Sequence, residues 1–136
     1  MIIDGTNLIL GRLASYTAKM ALEGEQVIIV NSEKVVISGK KDNVYSRYKV
    51  KVDRGTPQKG PYFPKQADRL IRRTIRGMLP YRHERGKMAF KRVMCYLGVP
   101  EKYKNEKIET VKQADFSRLK TANFVRLEKL SVLIGK

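Results

Sequence analysis

Gln26-Val27-Ile28-Ile29-Val30 decides the class of fold. A continuous β-branched run bounded by polar residues suits a strand covered on both faces, as in a parallel sheet; a strand with one wet face would alternate. Val35-Val36-Ile37 is a second, shorter run that ends at Ser38-Gly39, and Val93-Met94-Cys95-Tyr96-Leu97-Gly98 is a third, stopped by Val99-Pro100. Met1 to Asp4 is a short apolar start that suits an edge strand.

Helical spacing fills the gaps between these runs. Leu10, Leu13, Ala14, Thr17 and Ala21 recur at a 3.6-residue period, with Thr6 or Asn7 expected as the cap and Gly24 as the stop. Gly39 to Asp53 reads both ways. Val44, Tyr45, Tyr48 and Val52 fit a helix, while Tyr48-Lys49-Val50-Lys51-Val52 alternates like a strand, so a helix turning extended near Val50 is expected. Glu101 to Lys120 is weakly patterned and reads as irregular with a short turn or two. Leu127, Leu130, Leu133 and Ile134 mark a closing helix before Gly135. The order β-α-β-β-α-α-β-α predicts an α/β fold with a small, mostly parallel sheet between helices, in one domain spanning 1–136.

The charge is concentrated in a hub at 54–92. Its 39 residues hold 12 Lys/Arg against only Asp68 and Glu84, whereas the other 97 carry 17 basic against 11 acidic. A Gly/Pro-rich loop, Asp53 to Pro64, leads into it; Pro57, Pro61, Pro64 and Pro80 stiffen it. Pro64 suits the first position of a helix in which Leu70, Ile71, Thr74, Ile75, Met78 and Leu79 form an apolar stripe. Arg69, Arg72, Arg73 and Arg76 share the opposite face, and Lys65 extends it one turn earlier. Like charges at that spacing repel, and a polyanion is the neutraliser that best explains them. Guanidinium rather than ammonium points to phosphate, which it can grip with two nitrogens. A merely solvated face would mix signs.

A net charge of +16 on a chain that is 42% hydrophobic describes a folded body with a polyanionic partner. Nucleic acid fits that partner better than an anionic membrane. No apolar run approaches the ~20 residues of a spanning helix. No helix pairs a basic face with the aromatic, leucine-rich face of an interfacial anchor, and the start lacks the form of a signal peptide. With one cysteine, Cys95, no intrachain disulfide forms, and an intracellular compartment is expected.

Catalytic chemistry finds little support. One histidine, His83, and one cysteine cannot assemble a Cys/His zinc site. A Cys–His nucleophilic pair is possible on paper, but Cys95 lies in an apolar strand and no oxyanion motif accompanies it. His83, between Arg82 and Glu84, reads as an exposed neighbour of RNA. Gly55 and Gly60 have P-loop glycine spacing, yet Pro61-Tyr62 stands where Lys-Ser/Thr is required. The 13 carboxylates are scattered. No enzyme, cofactor, metal or small-molecule substrate is expected.

Tyr62, Phe63, Tyr81 and Phe90 lie among the basic residues of the hub. Such rings can stack on unpaired bases, although Phe63 and Phe90 read first as core. No helix-turn-helix, RRM or KH signature is present, and shape-reading of structured RNA fits better than sequence-reading of a duplex.

Three blocks of sequence then become recognisable. Asp4 to Ser15 (Asp-Gly-Thr-Asn-Leu-Ile-Leu-Gly-Arg-Leu-Ala-Ser) resembles the opening of the universal large-subunit ribosomal protein thirteen family. Val30 to Lys41 resembles its second block, and Arg76-Gly77-Met78-Leu79-Pro80 with Gly86-Lys87-Met88 and Cys95-Tyr96-Leu97-Gly98 its third. The blocks fall in the family's order and cover most of 1–98. Arg54 to Pro64 looks like the archaeal and eukaryotic branch. After Gly98 the chain departs from the bacterial pattern, and its compact length favours an archaeal source.

The resemblance implies a three-layer α/β/α fold around a four-stranded parallel sheet. It also implies a structural constituent of the large ribosomal subunit in the cytoplasm, bound to large-subunit rRNA early in assembly and adjoined by neighbouring ribosomal proteins. An extra-ribosomal regulatory RNA-binding protein is the alternative, and an RNA-processing enzyme using scattered carboxylates and a metal is a more distant one. Phosphate contacts are expected at Arg69, Arg72, Arg73 and Arg76. Arg54, Lys59, Lys65, Arg82, Arg85, Lys87, Lys91 and Arg92 surround them, with Arg12, Lys40 and Lys41 near helix starts as a second tier.

Overall fold

The computed structural model describes residues 1–56, 58–119 and 123–135. Strands β1 (Ile2–Asp4), β2 (Val27–Val30), β3 (Val36–Ser38), β4 (Val93–Cys95) and β5 (Phe124–Arg126) are interleaved with five helices. These are α1 (Leu10–Leu22), α2 (Lys41–Asp53), α3 (Ala67–Met78), α4 (Glu84–Lys91) and α5 (Leu127–Ile134). Short 3-10 turns occupy 101–103, 112–114 and 116–118, in the stretch expected to be irregular; Lys120, its last residue, lies outside the described ones.

The fold is mixed α/β with a mostly parallel sheet. β2 is central, parallel to β1 on one side and to β4 on the other, with Ile28 opposite Ile2 and Met94. Its position explains its composition. Val27 and Ile29 enter the main core, where α1 and α3 pack on each other and α3 packs on β4. Ile28 and Val30 enter a second cluster with Ile2 and Tyr103, closed by Tyr96, Val99 and Ile108. All four residues of β2 are buried, so neither face could carry a polar alternation.

The strands divide as three and two rather than four in one sheet. β3 pairs antiparallel with β5, Ile37 opposite Val125, and touches the body through a parallel bridge from Val36 to Ile9. β5 gave no sequence signal because Phe124-Val125-Arg126 buries only Val125 and so shows no apolar run. The outer edge of β1 is covered by Glu109, which exchanges backbone hydrogen bonds with Asp4 and Ile2 at 2.8 Å. Leaving that edge bare would invite pairing with another chain.

Four expectations are corrected. α2 stays helical through Asp53, because Val44, Tyr45, Tyr48 and Val52 meet the core at helical spacing and only Val50 points away, 56% exposed. α3 begins at Ala67 instead of Pro64: Gln66 is extended, and the Lys65 carbonyl accepts a 2.6 Å hydrogen bond from Ser131 Oγ that holds the preceding strap out of the helix. Met78 leaves the apolar stripe and is 44% exposed. Neither Thr6 nor Asn7 caps α1, whose N-cap is Ile9. Thr6 instead donates its N–H and hydroxyl to Asp4 Oδ1, at 3.0 and 2.7 Å, and Asn31 Nδ2 donates to the same oxygen at 3.0 Å.

Gly24 does end α1, with φ +100° and its N–H on the Ala21 carbonyl. The closing helix ends at Ile134, just before Gly135.

Candidate nucleic-acid interface

α3 has the two opposed faces its sequence predicts. Leu70, Ile71 and Ile75 are fully buried, and Thr74 turns its hydroxyl back onto the Leu70 carbonyl at 3.0 Å. Arg69, Arg73 and Arg76 are exposed on the other side. Arg72 differs. It is half-buried, its guanidinium lies 4.2 Å from the centre of the Phe90 ring, and Nη2 donates to the Phe90 carbonyl at 3.4 Å.

Each of the three inner arginines rests on a ring from a different segment. Arg72 lies on Phe90 of α4, Arg76 on Tyr81 of the turn between α3 and α4 at 4.1 Å, and Arg73 on Phe63 of the strap before α3 at 4.8 Å. Tyr81 stands edge-on to Phe90, with centroids 5.6 Å apart. Phe63 stands edge-on to Tyr48 at 6.0 Å. Phe63 and Phe90 pack against the core and are half-buried, and each carries an arginine. The four arginines with Pro64, Tyr81 and Phe90 line a recess of about 350 Å3.

Acidic neighbours do not neutralise the ridge. Among the described residues the one ion pair is Lys49–Asp53, at 3.3 Å within α2. Asp68 Oδ1 accepts from the Arg69 backbone N–H at 2.9 Å. The ridge therefore presents uncompensated charge beside a concave surface, which is the form of an anion-binding site.

The approach loop is built for close turns. Thr56 and Gly60 exchange backbone hydrogen bonds of 3.2 and 2.9 Å, and Thr56 Oγ1 accepts from the Lys59 N–H at 3.0 Å. Gly55 has φ +89°, and a Cβ there would strike the Gly60 carbonyl and the Pro61 ring. Pro57, one of the four stiffening prolines, lies outside the described residues. Arg54 lines a recess with Lys51, Phe63 and Arg73, so the loop and the ridge share a boundary.

The remaining expected residues fall into groups. Lys59, Lys65, Arg82, Arg85, Lys87 and Lys91 are exposed on the hub. Arg92 is built into the fold: its Nη1 donates to the Ala21 carbonyl at 2.9 Å and joins the end of α1 to the start of β4. Arg12, in the first turn of α1, meets Arg73 and Lys51 across a cleft of about 520 Å3. Lys40 is exposed just before α2, while Lys41 lines a separate recess with Phe124, Arg126, Glu128 and Lys129.

Lys51 was not anticipated. Its ammonium lies 5.1 Å from the Tyr48 ring centre and 5.8 Å from that of Phe63. The signal was the i, i+3 pair Tyr48/Lys51, which the strand-like alternation of the same residues concealed.

Two candidate reactive groups are placed elsewhere. The Cys95 thiol is buried, which pushes its pKa up to about 12, with Arg72 pulling it down and Asp68 raising it further. His83 is the exposed N-cap residue of α4, and its backbone N–H donates to the Pro80 carbonyl at 2.9 Å. No group of three potential metal ligands occurs among the described residues. No described helix is long and apolar enough to cross a membrane.

A family model described as "Ribosomal protein L13" matches residues 1–102. Similarity to individual proteins extends further along the chain. A protein named "Large ribosomal subunit protein uL13" from Archaeoglobus fulgidus is 44% identical over 135 residues, covering 98% of this chain and 86% of the relative. Its namesake from Methanococcoides burtonii is 45% identical over 134 residues, with 98% and 96% covered. The one from Picrophilus torridus is 40% identical over 134 residues with the same coverage.

Proposed function

The chain belongs to the ribosomal protein L13 family, archaeal branch, and from that premise we propose that it is a structural constituent of the large ribosomal subunit that binds and stabilises large-subunit rRNA. Its place is the cytoplasmic ribosome, and its role is architectural rather than catalytic. Neighbouring subunit proteins are further partners.

The observation that carries this reading is the ring-mounted arginine row of α3, uncompensated by acid and bordered by a recess. Arg69, Arg73 and Arg76 contact phosphates directly, with Lys59, Lys65, Arg82, Arg85, Lys87 and Lys91 extending the footprint. Arg54, Arg12, Lys40 and Lys41 add contacts beyond the ridge. Arg72 and Arg92 contribute mainly by holding the surface in shape. Counter-ion release supplies the affinity, at roughly −0.7 to −0.9 in the log–log salt slope per phosphate neutralised. An ordered surface of this kind also reduces the freedom lost on binding, which suits a protein that acts early in assembly.

Arg73→Glu/Arg76→Glu tests the proposal. The variant is expected to fold normally, yet to stay at the top of a sucrose gradient while the parent sediments with large subunits. Parent protein that also stays at the top would favour a regulatory role outside the ribosome. Normal incorporation of the variant would remove the ridge from the interface.

A further inference from the structure

The cleft beside the ridge is bounded by two helical glycines. Gly11 is the second residue of α1, and Gly77 the last but one of α3; both are exposed. A Cβ built at either meets no atom within 4 Å, and neither has a left-handed backbone. They contrast with Gly86, where a Cβ would collide with the Pro80 carbonyl, and with Gly55 in its turn. Glycine is a poor helix former because it loses the most conformational freedom on folding. Nothing beyond the glycine's own stretch of helix stands within 4 Å of a Cβ at 11 or 77, so the packing of the fold does not require bare backbone there. A partner running close against the helix backbone does gain from it.

The chemistry of the cleft says what that partner is. Arg12, Lys51 and Arg73 line it beside apolar walls from Leu10, Ile37 and Leu70, and no acidic residue does. α1 opens towards it with its first turn, whose N–H groups have no intrahelical acceptor and favour an anion. Its volume of about 520 Å3 lies within the range of sites that hold a small-molecule-sized group. Resting on the reading that the partner is rRNA, we infer that this cleft seats a sugar–phosphate segment of the large-subunit rRNA. The ribose lies against the bare backbone at Gly11 and Gly77, and the phosphates lie among Arg12, Lys51 and Arg73. The occupant is backbone rather than an inserted base, because Phe63 is already covered by Lys51 and Arg73.

Filter binding of the full-length chain to a complete large-subunit rRNA transcript, with excess tRNA as competitor, tests this. Gly11→Gln/Gly77→Gln places uncharged, helix-compatible side chains in the cleft. It is expected to keep or raise Tm, to lower affinity at least tenfold, and to leave the salt slope unchanged. Gly11→Ala/Gly77→Ala should also keep or raise Tm while losing affinity several-fold. Lys51→Gln should lower both affinity and slope, and gives the reading if the glutamine pair does not fold. Parent-like affinity in the folded glycine variants and in Lys51→Gln, with tenfold loss in Arg69→Gln/Arg76→Gln, would overturn the cleft and leave the ridge standing. Parent-like affinity in the ridge variant as well would overturn the rRNA reading. Glycine variants that bind RNA normally but fail to enter subunits would assign the cleft to a neighbouring protein, against the inference.

Discussion

Arg76 and Tyr81 are stacked, guanidinium to ring centre, at 4.1 Å, although one belongs to α3 and the other to the turn that follows it. Tyr81 in turn meets Phe90 edge-on, and Phe90 supports Arg72. The arginine row is therefore held from below by side chains that carry no charge. Tyr81→Leu removes the support and no cation. A lost cation–π contact of this kind is worth about 0.5–1 kcal/mol. Tm should fall by about 1–5 °C, affinity for large-subunit rRNA should fall by roughly two- to fivefold at most as Arg76 loses its fixed position, and the salt slope should be unaltered. Titration at three salt concentrations reads affinity and slope.

Arg72 and Arg73 are neighbours with different duties. Arg72 is half-buried, bonded to the Phe90 carbonyl and stacked on its ring, whereas Arg73 is exposed. Arg72→Gln is expected to destabilise the fold by about 1–2 kcal/mol, the sum of a long hydrogen bond and a ring contact. Arg73→Gln should cost no more than about 0.5–1 kcal/mol, the worth of its contact with Phe63, and weaken RNA binding instead. Urea denaturation separates the two. Equal midpoints would show that the Phe90 contacts contribute no more than the Phe63 one.

Gly86 sits where α4 presses on the preceding turn, and a Cβ there would overlap the Pro80 carbonyl and lie 2.9 Å from the Tyr81 nitrogen. Backbone cannot move aside as a flexible side chain would. Gly86→Ala should therefore cost about 2 kcal/mol or more, despite alanine's better helix propensity. A chemical-denaturation midpoint at or above that of the parent would contradict this packing.

Burial raises the Cys95 pKa from 9.0 to about 12 in the fold. The unfolded chain ionises this thiol first, so its contribution to stability is complete below pH 9.0 and is lost as pH climbs towards 12. Cys95→Ala should flatten that alkaline decline relative to the parent. At neutral pH the thiol should react with a maleimide only after unfolding, as read by mass spectrometry.

Asp4 titrates in the opposite sense. Burial alone raises its pKa, but hydrogen bonds from Asn31 and Thr6, with the charge of Lys34, outweigh it and set the group below its ordinary 3.8. Its stabilising effect is present above that value and disappears as pH falls through the lowered one. Asp4→Asn should make thermal stability less dependent on pH below 4, since the carboxylate that accepts all three bonds is gone.

Much of this was legible in the sequence. Four adjacent apolar residues at Val27 to Val30 told of a strand covered on both faces, and the spacing of Leu70, Ile71 and Ile75 against the arginines fixed both sides of α3. What escaped notice depended on distant partners. The start of α3 is set by Ser131 on the last helix, and the retention of α2 as helix by the core it touches. The division of roles among the arginines was invisible for the same reason: only the fold brings Phe63, Tyr81 and Phe90 beneath them. Lys51 was hidden by an alternation that local pattern cannot distinguish from a helix edge.

The scarcity of ion pairs reaches beyond the interface. A chain with a formal charge of +16, and one ion pair among its described residues, strains against itself in dilute buffer. Added electrolyte should steady the solitary molecule while loosening its grip on RNA. On the proposed function, rRNA phosphates inside a particle would take over the electrolyte's task, and binding would add stability by mass action. Copies that find a place are thus expected to outlast the surplus, so that the cellular amount of this chain follows the number of particles able to house it.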